Sequence, residues 1–276
     1  MRVLSRRGAR VPALQVGLLL FGGMLAVALV SRVWTPEVPG RMRIALRLRP
    51  PGVAALAGTD ALGRDILSQL MVGASTSLTI AGLAVASGLL LGAGLGLLAA
   101  ARRGWVDEVV VKVSDVLFAF PAPVSAIVLA AALGPGLGTA VLAIGLFAVP
   151  VFVRVTRAAA LRVWVLDYCL AAQAAGMGRG GVTLAHVLPN IVGTLAVQAS
   201  LQLGLAILVE AGLAFLGLSV PPPTPSWGRM LFDSQTYLGQ APWMAVAPGL
   251  AIALTVLGLN LLGDGLRDRF DPRGPA

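Results

Sequence analysis

The sequence has few charged side chains and almost none of three reactive residue types. Charged residues occupy 12% of the 276 positions, whereas a soluble domain carries roughly 25%. Cys169, His186 and Lys112 are the only cysteine, histidine and lysine. A single cysteine excludes an internal disulfide and a cysteine-based metal cluster. No metal site is expected at His186, because no histidine, cysteine or carboxylate follows it at three or four residues.

The lone lysine also excludes a nucleotide-binding phosphate loop. Such a loop places its lysine directly after a glycine, but Lys112 follows Val111. If ATP drives this protein, another subunit must hydrolyse it. A serine protease is excluded too, because the topology below separates Ser75 from His186, the one available base. We therefore expect no catalytic residue, no metal and no cofactor in this chain.

What the chain has instead is long apolar runs. Hydrophobic residues make up 57% of the sequence, and the mean hydropathy is +0.88. Stretches of about 20 apolar residues can cross about 30 Å of hydrocarbon. Six occur, near 13–31, 77–101, 110–133, 137–156, 191–217 and 244–263. The arginines behind the net charge of +9 cap these runs, which is typical of membrane helices and not of a nucleic-acid surface. The sequence predicts an all-α integral membrane protein with six transmembrane helices.

The distribution of basic residues predicts the orientation. With both termini in the cytoplasm, fourteen basic residues lie inside and seven outside, in agreement with the positive-inside rule. The first run is expected to be retained, because its apolar core is longer than that of a signal peptide. The expected parts are a cytoplasmic N-terminus (1–12), a first transmembrane helix (13–31), an external loop (32–76), a five-helix core (77–264) with a cytoplasmic loop at about 157–190, and a cytoplasmic tail (265–276).

Three glycines in the second run, Gly88, Gly92 and Gly96, are spaced four residues apart. They share one face of a helix, where the missing side chains let another backbone approach closely. We expect an intimate helix contact at this face.

Glu210 is the one carboxylate well inside an expected span. A charged side chain at the bilayer centre costs about 2.5–3.5 kcal/mol on insertion scales, so Glu210 must face protein or water. One interpretation is a hydrogen bond to a neighbouring helix or subunit. The other is the relay of an ion-coupled secondary transporter, although such proteins usually carry more than one intramembrane ionisable group.

Four stretches occur in order along the chain: GTDALGRD (58–65), FAFPAP (118–123), FLGLSVPPPTPSWGRML (215–231) and NLLGDGLRDRFDPR (260–273). Together they resemble the inner-membrane permease subunits of bacterial ABC importers for dipeptides, oligopeptides and nickel, over roughly residues 56–273. The resemblance implies the ABC type I importer permease fold. It also implies that the stiff, proline-rich external loop faces a binding protein through Pro222, Pro223, Trp227 and Gly228.

Residues 171–190, AAQAAGMGRGGVTLAHVLPN, align with the cytoplasmic coupling loop of those permeases. The matching positions are Ala171, Ala172, Gly176, Leu188, Pro189 and Asn190. Leu170 stands where the family usually has glutamate. We therefore expect Asp167 to supply part of the polar anchoring, and His186 to be a polar group at a helix end.

The composition of this loop agrees with the resemblance. Alanines are good helix formers with almost no side chain, so a short helix at 171–175 can sit deep in a groove of another protein. Gly176 can end that helix by adopting a positive φ. Pro189 suits the start of the fifth membrane helix.

The resemblance implies a multi-pass permease of the bacterial inner membrane that imports di- or oligopeptides by alternating access. The implied partners are a second related permease, two ATP-binding subunits that hold ATP and Mg²⁺, an external solute-binding protein and membrane lipid, with no nucleic acid. Nothing in the helices identifies the cargo. Nickel, glutathione or another small solute is therefore the alternative to peptides. An ion-coupled secondary transporter using Glu210 is the alternative of another class.

Overall fold

The computed structural model describes residues 10–53, 55–119 and 122–270, and these form a bundle of long helices. The helices are α1 (Arg10–Val30), α2 (Ile66–Arg102), α3 (Trp105–Ala119), α4 (Ala122–Leu133), α5 (Leu137–Trp164), α6 (Asp167–Ala174), α7 (Arg179–Val182), α8 (Leu188–Phe215), α9 (Trp227–Ser234) and α10 (Trp243–Phe270). Over the described ranges, extended pairing is limited to isolated bridges. The all-α prediction is confirmed.

Five helical segments are long and apolar enough to cross a membrane. They are Ala13–Val30, Ile66–Arg102, Leu137–Trp164, Arg179–Phe215 and Trp243–Phe270. The remaining expected span, near 110–133, consists of α3 and α4, and the axes of Trp105–Ala119 and Val124–Leu133 differ by 88°. The span is therefore sharply bent, which agrees with the proline-containing stretch at 118–123, because proline removes a backbone donor. Counted as one broken span, the pair brings the total to the six that were predicted. Phe120 and Pro121, at the junction, lie outside the described residues.

The second span begins earlier than hydropathy indicates. α2 starts at Ile66, inside the external loop expected at 32–76, because Asp65 caps it. The Oδ2 atom of Asp65 accepts hydrogen bonds from the Ser68 N–H at 2.7 Å and the Ser68 hydroxyl at 2.6 Å, an arrangement that favours helix initiation. The 37 residues of α2 are about 55 Å long, whereas hydrocarbon is about 30 Å thick. The first turns of α2 therefore project beyond the apolar layer.

Other helices also extend past their apolar cores. α5 continues to Trp164, inside the loop expected at about 157–190, and α10 continues to Phe270, inside the tail expected at 265–276. Hydropathy detects the part of a helix that crosses lipid, and a helix can continue into a polar environment. Residues 1–9 of the expected N-terminal segment and residues 271–276 of the expected tail lie outside the described ranges.

Glycine permits the close contact between α2 and α5, the most extensive contact in the bundle. A Cβ atom placed on Gly88 would lie 2.4 Å from the Cβ of Ala148, and one on Gly92 would lie 2.5 Å from the carbonyl oxygen of Val149. Gly96 faces the next turn of α5 with similar distances. No side chain fits at these distances, so the two backbones approach where the sequence lacks Cβ atoms.

A second glycine contact, between α1 and α10, was not predicted from the sequence. A Cβ atom on Gly17 would lie 2.6 Å from the backbone nitrogen of Leu262, and one on Gly265 would lie 2.7 Å from the Cβ of Leu14. Gly258 also meets α1 closely. The sequence does contain a pattern that indicates this contact, because Gly258 and Gly265 are seven residues apart and share a helix face.

The bundle has two distinct ends, which we name the α6 end and the α9 end after the short helices found there. α2 runs between them. At the α9 end the Trp227 indole donates a hydrogen bond to the Leu70 carbonyl at 3.1 Å. At the α6 end Ala100 packs in one apolar cluster with Trp164.

The α2–α5 contact predicts opposite responses at two glycines of the same helix. Gly92→Ala places a methyl group against the α5 backbone and should lower the unfolding midpoint of the purified protein by about 5 °C, since overpacking costs about 1–3 kcal/mol. Gly94→Ala is the matched control, because nothing lies within 4 Å of a Cβ at that position and alanine favours helix. Equal midpoints for the two variants, measured by thermal unfolding in detergent, would contradict this packing.

Candidate functional site

The short helix α6 is fastened to the bundle by its one buried side chain. Cys169 is fully buried, in a cluster with Trp164 of α5, Val182 of α7 and Ile191 of α8. Ala100 of α2 belongs to the same cluster. Burial raises the pKa of the Cys169 thiol, which keeps it protonated and unreactive. Cys169 is therefore a packing residue that joins α6 to three long helices.

Gly176 ends α6 in a well-defined way. Its φ is +88°, a conformation that favours glycine. The N–H of Met177 donates to the carbonyl of Ala172, and the N–H of Gly176 donates to that of Gln173, each at 3.0 Å. These are the two bonds of a Schellman motif, which satisfies the last carbonyls of a helix. The chain turns sharply after α6 at the glycine where the sequence suggested that it would.

The chain after this turn is more helical than expected. Gly180 and Gly181 lie within α7, and helical structure continues from Arg179 to Phe215. Hydropathy missed this start because the first turns contain glycine, arginine and threonine. The helix therefore starts twelve residues before the apolar run near 191.

A π turn, Thr183–Val187, joins α7 to α8 just before Pro189. The N–H of Leu188 donates to the carbonyl of Thr183, five residues earlier. Proline removes a donor and crowds the preceding turn, and a wider turn relieves that crowding. The side chain of Asn190 donates to the His186 carbonyl at 2.7 Å and so satisfies a backbone acceptor in this turn.

Several exposed side chains of α6 and its neighbours are apolar. The exposed apolar side chains are Val165, Leu166, Tyr168, Leu170, Met177 and Leu184. Leu170 is 51% exposed, and Asp167 lies three residues before it, on the same side of the helix and also exposed. Ala171 is exposed, whereas Ala172 is partly buried against the Cys169 cluster. Exposed apolar patches occur where proteins contact partners, ligands or membranes.

His186 belongs to this surface as a packing residue. Its ring lies 6.0 Å from the ring of Tyr168, centroid to centroid. In the described ranges, no group of three or more histidine, cysteine, aspartate or glutamate residues could hold a metal ion.

At the α9 end, Pro222 and Pro223 are exposed and line a cavity of about 510 Å³. Arg64, Arg229 and Asp233 line it too. The Nε atom of Arg229 lies 3.1 Å from Oδ1 of Asp233. Burial raises the pKa of the Asp233 carboxyl, although Arg229 and Arg64 oppose this effect. The cavity is therefore charged on one wall.

The GTDALGRD stretch builds the loop beside this cavity. Asp60 accepts hydrogen bonds from the backbone N–H groups of Leu62 and Arg64 at 2.9 and 2.8 Å, and from the side chains of Arg64 and Gln69 at 2.6 and 3.1 Å. Gly63 has a φ of +71°. The charged residues of the motif thus hold the chain in place before α2.

Trp227 and Gly228 are buried within the chain. The resemblance implied instead that they face a binding protein. Trp227 is fully buried, and its indole is engaged with Leu70 as described above. A Cβ atom on Gly228 would lie 2.4 Å from the carbonyl oxygen of Ala211, so glycine lets α9 rest directly on α8. These two residues are structural, and only the prolines of that group are exposed.

Glu210 is fully buried in α8. Its carboxylate accepts hydrogen bonds from the Ser77 hydroxyl of α2 at 2.9 Å and from the Ser219 hydroxyl at 3.1 Å. The Ser77 oxygen also accepts a hydrogen bond from the backbone N–H of Trp227 at 3.3 Å. Of the two interpretations of Glu210, the geometry shows the hydrogen bond to a neighbouring helix, which ties α8, α2 and α9 together.

Comparison with known proteins places these features in a family. The family model described as binding-protein-dependent transport system inner membrane component matches residues 92–274. The chain is 38% identical over 258 residues to the dipeptide transport system permease protein DppC of Alkalihalophilus pseudofirmus, covering 94% of this chain and 85% of that one.

Two further relatives are similar over most of their length. The di/tripeptide transport system permease protein DppC of Pseudomonas aeruginosa is 40% identical over 265 residues, covering 94% of this chain and 88% of that one. The glutathione transport system permease protein GsiD of Pectobacterium atrosepticum is 41% identical over 223 residues, covering 81% and 74%. With its membrane-length helices, the chain therefore belongs to the family of binding-protein-dependent transport system inner membrane components.

Proposed function

We propose that this chain is a permease subunit of an ATP-driven importer that moves di- or oligopeptides across the inner membrane by alternating access. Relatives named for dipeptide and di/tripeptide transport, similar along nearly the whole chain, support the cargo. The single observation that carries the mechanism is the exposed apolar helix α6, held by a buried cluster that includes residues of α2, α5 and α8.

The energy for transport comes from two ATP-binding subunits, which hold ATP and Mg²⁺. Their binding site on this chain is the surface around Leu170 and Ala171. When those subunits move, α6 moves with them. Cys169 transmits the displacement because it is fully buried among residues of α2, α5 and α8, and protein interiors are closely packed. α2, α5 and α8 then shift as a unit against a second, related permease, and the cargo crosses between the two permeases.

The orientation follows from the same assignment. The α6 end faces the cytoplasm, which is supported by the basic residues found there: Arg102, Arg103, Arg154, Arg157, Arg162 and Arg179. The α9 end faces outward, where the exposed Pro222 and Pro223 and the neighbouring cavity lie within reach of a solute-binding protein.

The ion-coupled alternative gains nothing from the position of Glu210. Its carboxylate accepts hydrogen bonds from serine hydroxyls, whereas a proton relay requires successive ionisable groups. Through the described residues, no carboxylate, histidine or lysine is hydrogen-bonded to Glu210. Its contacts are those of a structural clamp.

The coupling assignment predicts a loss and a rescue on α6. Asp167→Ala should lower transport-linked ATP hydrolysis by about two- to fivefold, because a partly exposed charged contact is worth about 0.5–1 kcal/mol. Leu170→Glu, added to Asp167→Ala, should restore it, since the carboxylate then returns to the same helix face one turn later. The assay is ATP hydrolysis by the reconstituted complex with its binding protein.

Glu108→Ala is the control for this pair. It removes another exposed carboxylate at the same end, where Glu108 pairs with Lys112 at 2.6 Å, and should leave the rate unchanged. A normal rate in Asp167→Ala, or a double variant that stays as slow as the single one, would contradict the role of Asp167.

The cargo assignment predicts which solute stimulates the complex. Dipeptides and tripeptides, each presented with the cognate binding protein, should raise ATP hydrolysis, whereas Ni²⁺ and glutathione should leave it at the basal rate. Stimulation by Ni²⁺ or glutathione alone would replace the peptide assignment. Uptake by the lone chain, driven by a proton gradient without ATP-binding subunits, would overturn the importer mechanism itself.

A further inference from the structure

Arg32, at the α9 end, has no acidic partner among the described residues. It lies two residues after the end of α1 and is exposed. Its Nε atom donates a hydrogen bond to the Ser75 hydroxyl at 3.2 Å, and its Nη2 atom donates to the Thr79 hydroxyl at 3.3 Å. Both acceptors are neutral, and no carboxylate in the described ranges lies within ion-pair distance of Arg32. The positive charge is therefore uncompensated.

Hydrogen-bond donors outnumber acceptors around this guanidinium. Ser75 and Thr79 accept from Arg32 through oxygen, so each keeps its own hydroxyl hydrogen. Neither hydroxyl donates to an acceptor in the described part of the chain, unlike Thr76 between them, which donates to the Val72 carbonyl at 3.2 Å. With the unused N–H groups of Arg32, the two hydroxyls form a set of donors suited to an anion with several oxygens.

A pocket and a groove meet at these three residues. The pocket, of about 440 Å³, is lined by Arg32, Ser75 and Thr79 together with Ser31, Thr76 and Thr224 and the apolar Val72, Leu137 and Val220. The groove, of about 110 Å³, lies between α1 and α2, contains the same three residues, and is otherwise lined by Leu25, Ala28, Leu29 and Leu78. A ligand that fills both has a charged head and a hydrocarbon chain.

The depth of the site in the membrane agrees with such a ligand. Arg32 follows the apolar span Ala13–Val30, of which only 11% is buried inside the protein. Trp34, 61% exposed, comes next, and tryptophan favours the level of the headgroups. On α2, Ser75 and Thr79 flank the point where the long apolar run begins. Both helices thus pass from the polar to the apolar layer at this site.

We propose that Arg32, Ser75 and Thr79 bind the phosphodiester of a phospholipid whose acyl chain lies in the groove between α1 and α2. The guanidinium and the two hydroxyls donate to the phosphate oxygens. The lipid adds a contact between α1 and α2, beside the glycine contact that joins α1 to α10. The site lies in the leaflet at the α9 end and is separate from the α6 surface.

Lipid retention by the intact transporter tests this site. The purified complex, exchanged into detergent with phosphatidylglycerol, should retain bound lipid in native mass spectrometry. Arg32→Gln should reduce retention about tenfold or more, because a charged hydrogen bond contributes about 1.5–3 kcal/mol. Arg41→Gln is the matched control, since Arg41 is an exposed arginine of the same loop, and it should retain lipid normally.

Two further arms identify the ligand. Diacylglycerol, which lacks the phosphate, should not be retained, and inorganic phosphate at millimolar concentration should not displace phosphatidylglycerol. The double variant Ser75→Ala/Thr79→Val should retain several-fold less lipid than the wild type. If Arg32→Gln does not fold, this double variant tests the site in its place. Equal retention by these variants and the wild type, retention of diacylglycerol, displacement by free phosphate, or absence of the lipid from the assembled complex would each overturn the proposal.

Discussion

The close contact between α2 and α5 holds the rest of the structure in place. It depends on glycine at three positions of α2, because a single methyl group at Gly88 or Gly92 would meet α5 at 2.5 Å or less. α2 also reaches both ends of the bundle. At one end it joins the Cys169 cluster beneath α6, and at the other it joins Glu210 and Trp227 through Ser77. A displacement of α6 can therefore reach the α9 end through one rigid helix pair.

Polar groups have a different task at each end. At the α9 end two carboxylates are buried and hydrogen-bonded within the chain: Glu210 to serine hydroxyls, and Asp60 to backbone and side-chain donors. At the α6 end apolar side chains such as Leu170 are exposed beside arginines such as Arg162 and Arg179. This mixed surface suits the proposed contact with an ATP-binding subunit.

Much of this architecture could be predicted from the sequence, and the misses have physical causes. Apolar runs identified the five membrane-length helices and the bent α3–α4 pair, and Gly176 was expected to turn the chain after a short helix because few residues tolerate a positive φ. Run length could not reveal the early start of α2, which depends on a cap by Asp65 rather than on hydropathy. Trp227 was misplaced because a tryptophan beside prolines suits an interface and a core equally, and only the approach of α8 at Gly228 decides between them.

The central claim, that an ATP-binding subunit covers α6, is tested most directly by labelling one position on it. The native Cys169 is buried and its thiol pKa is raised, so a cysteine introduced by Leu170→Cys should react alone with a maleimide. The account predicts rapid labelling of the permease assembled without its ATP-binding subunits, and protection once they bind. Labelling at the same rate in both states would contradict it.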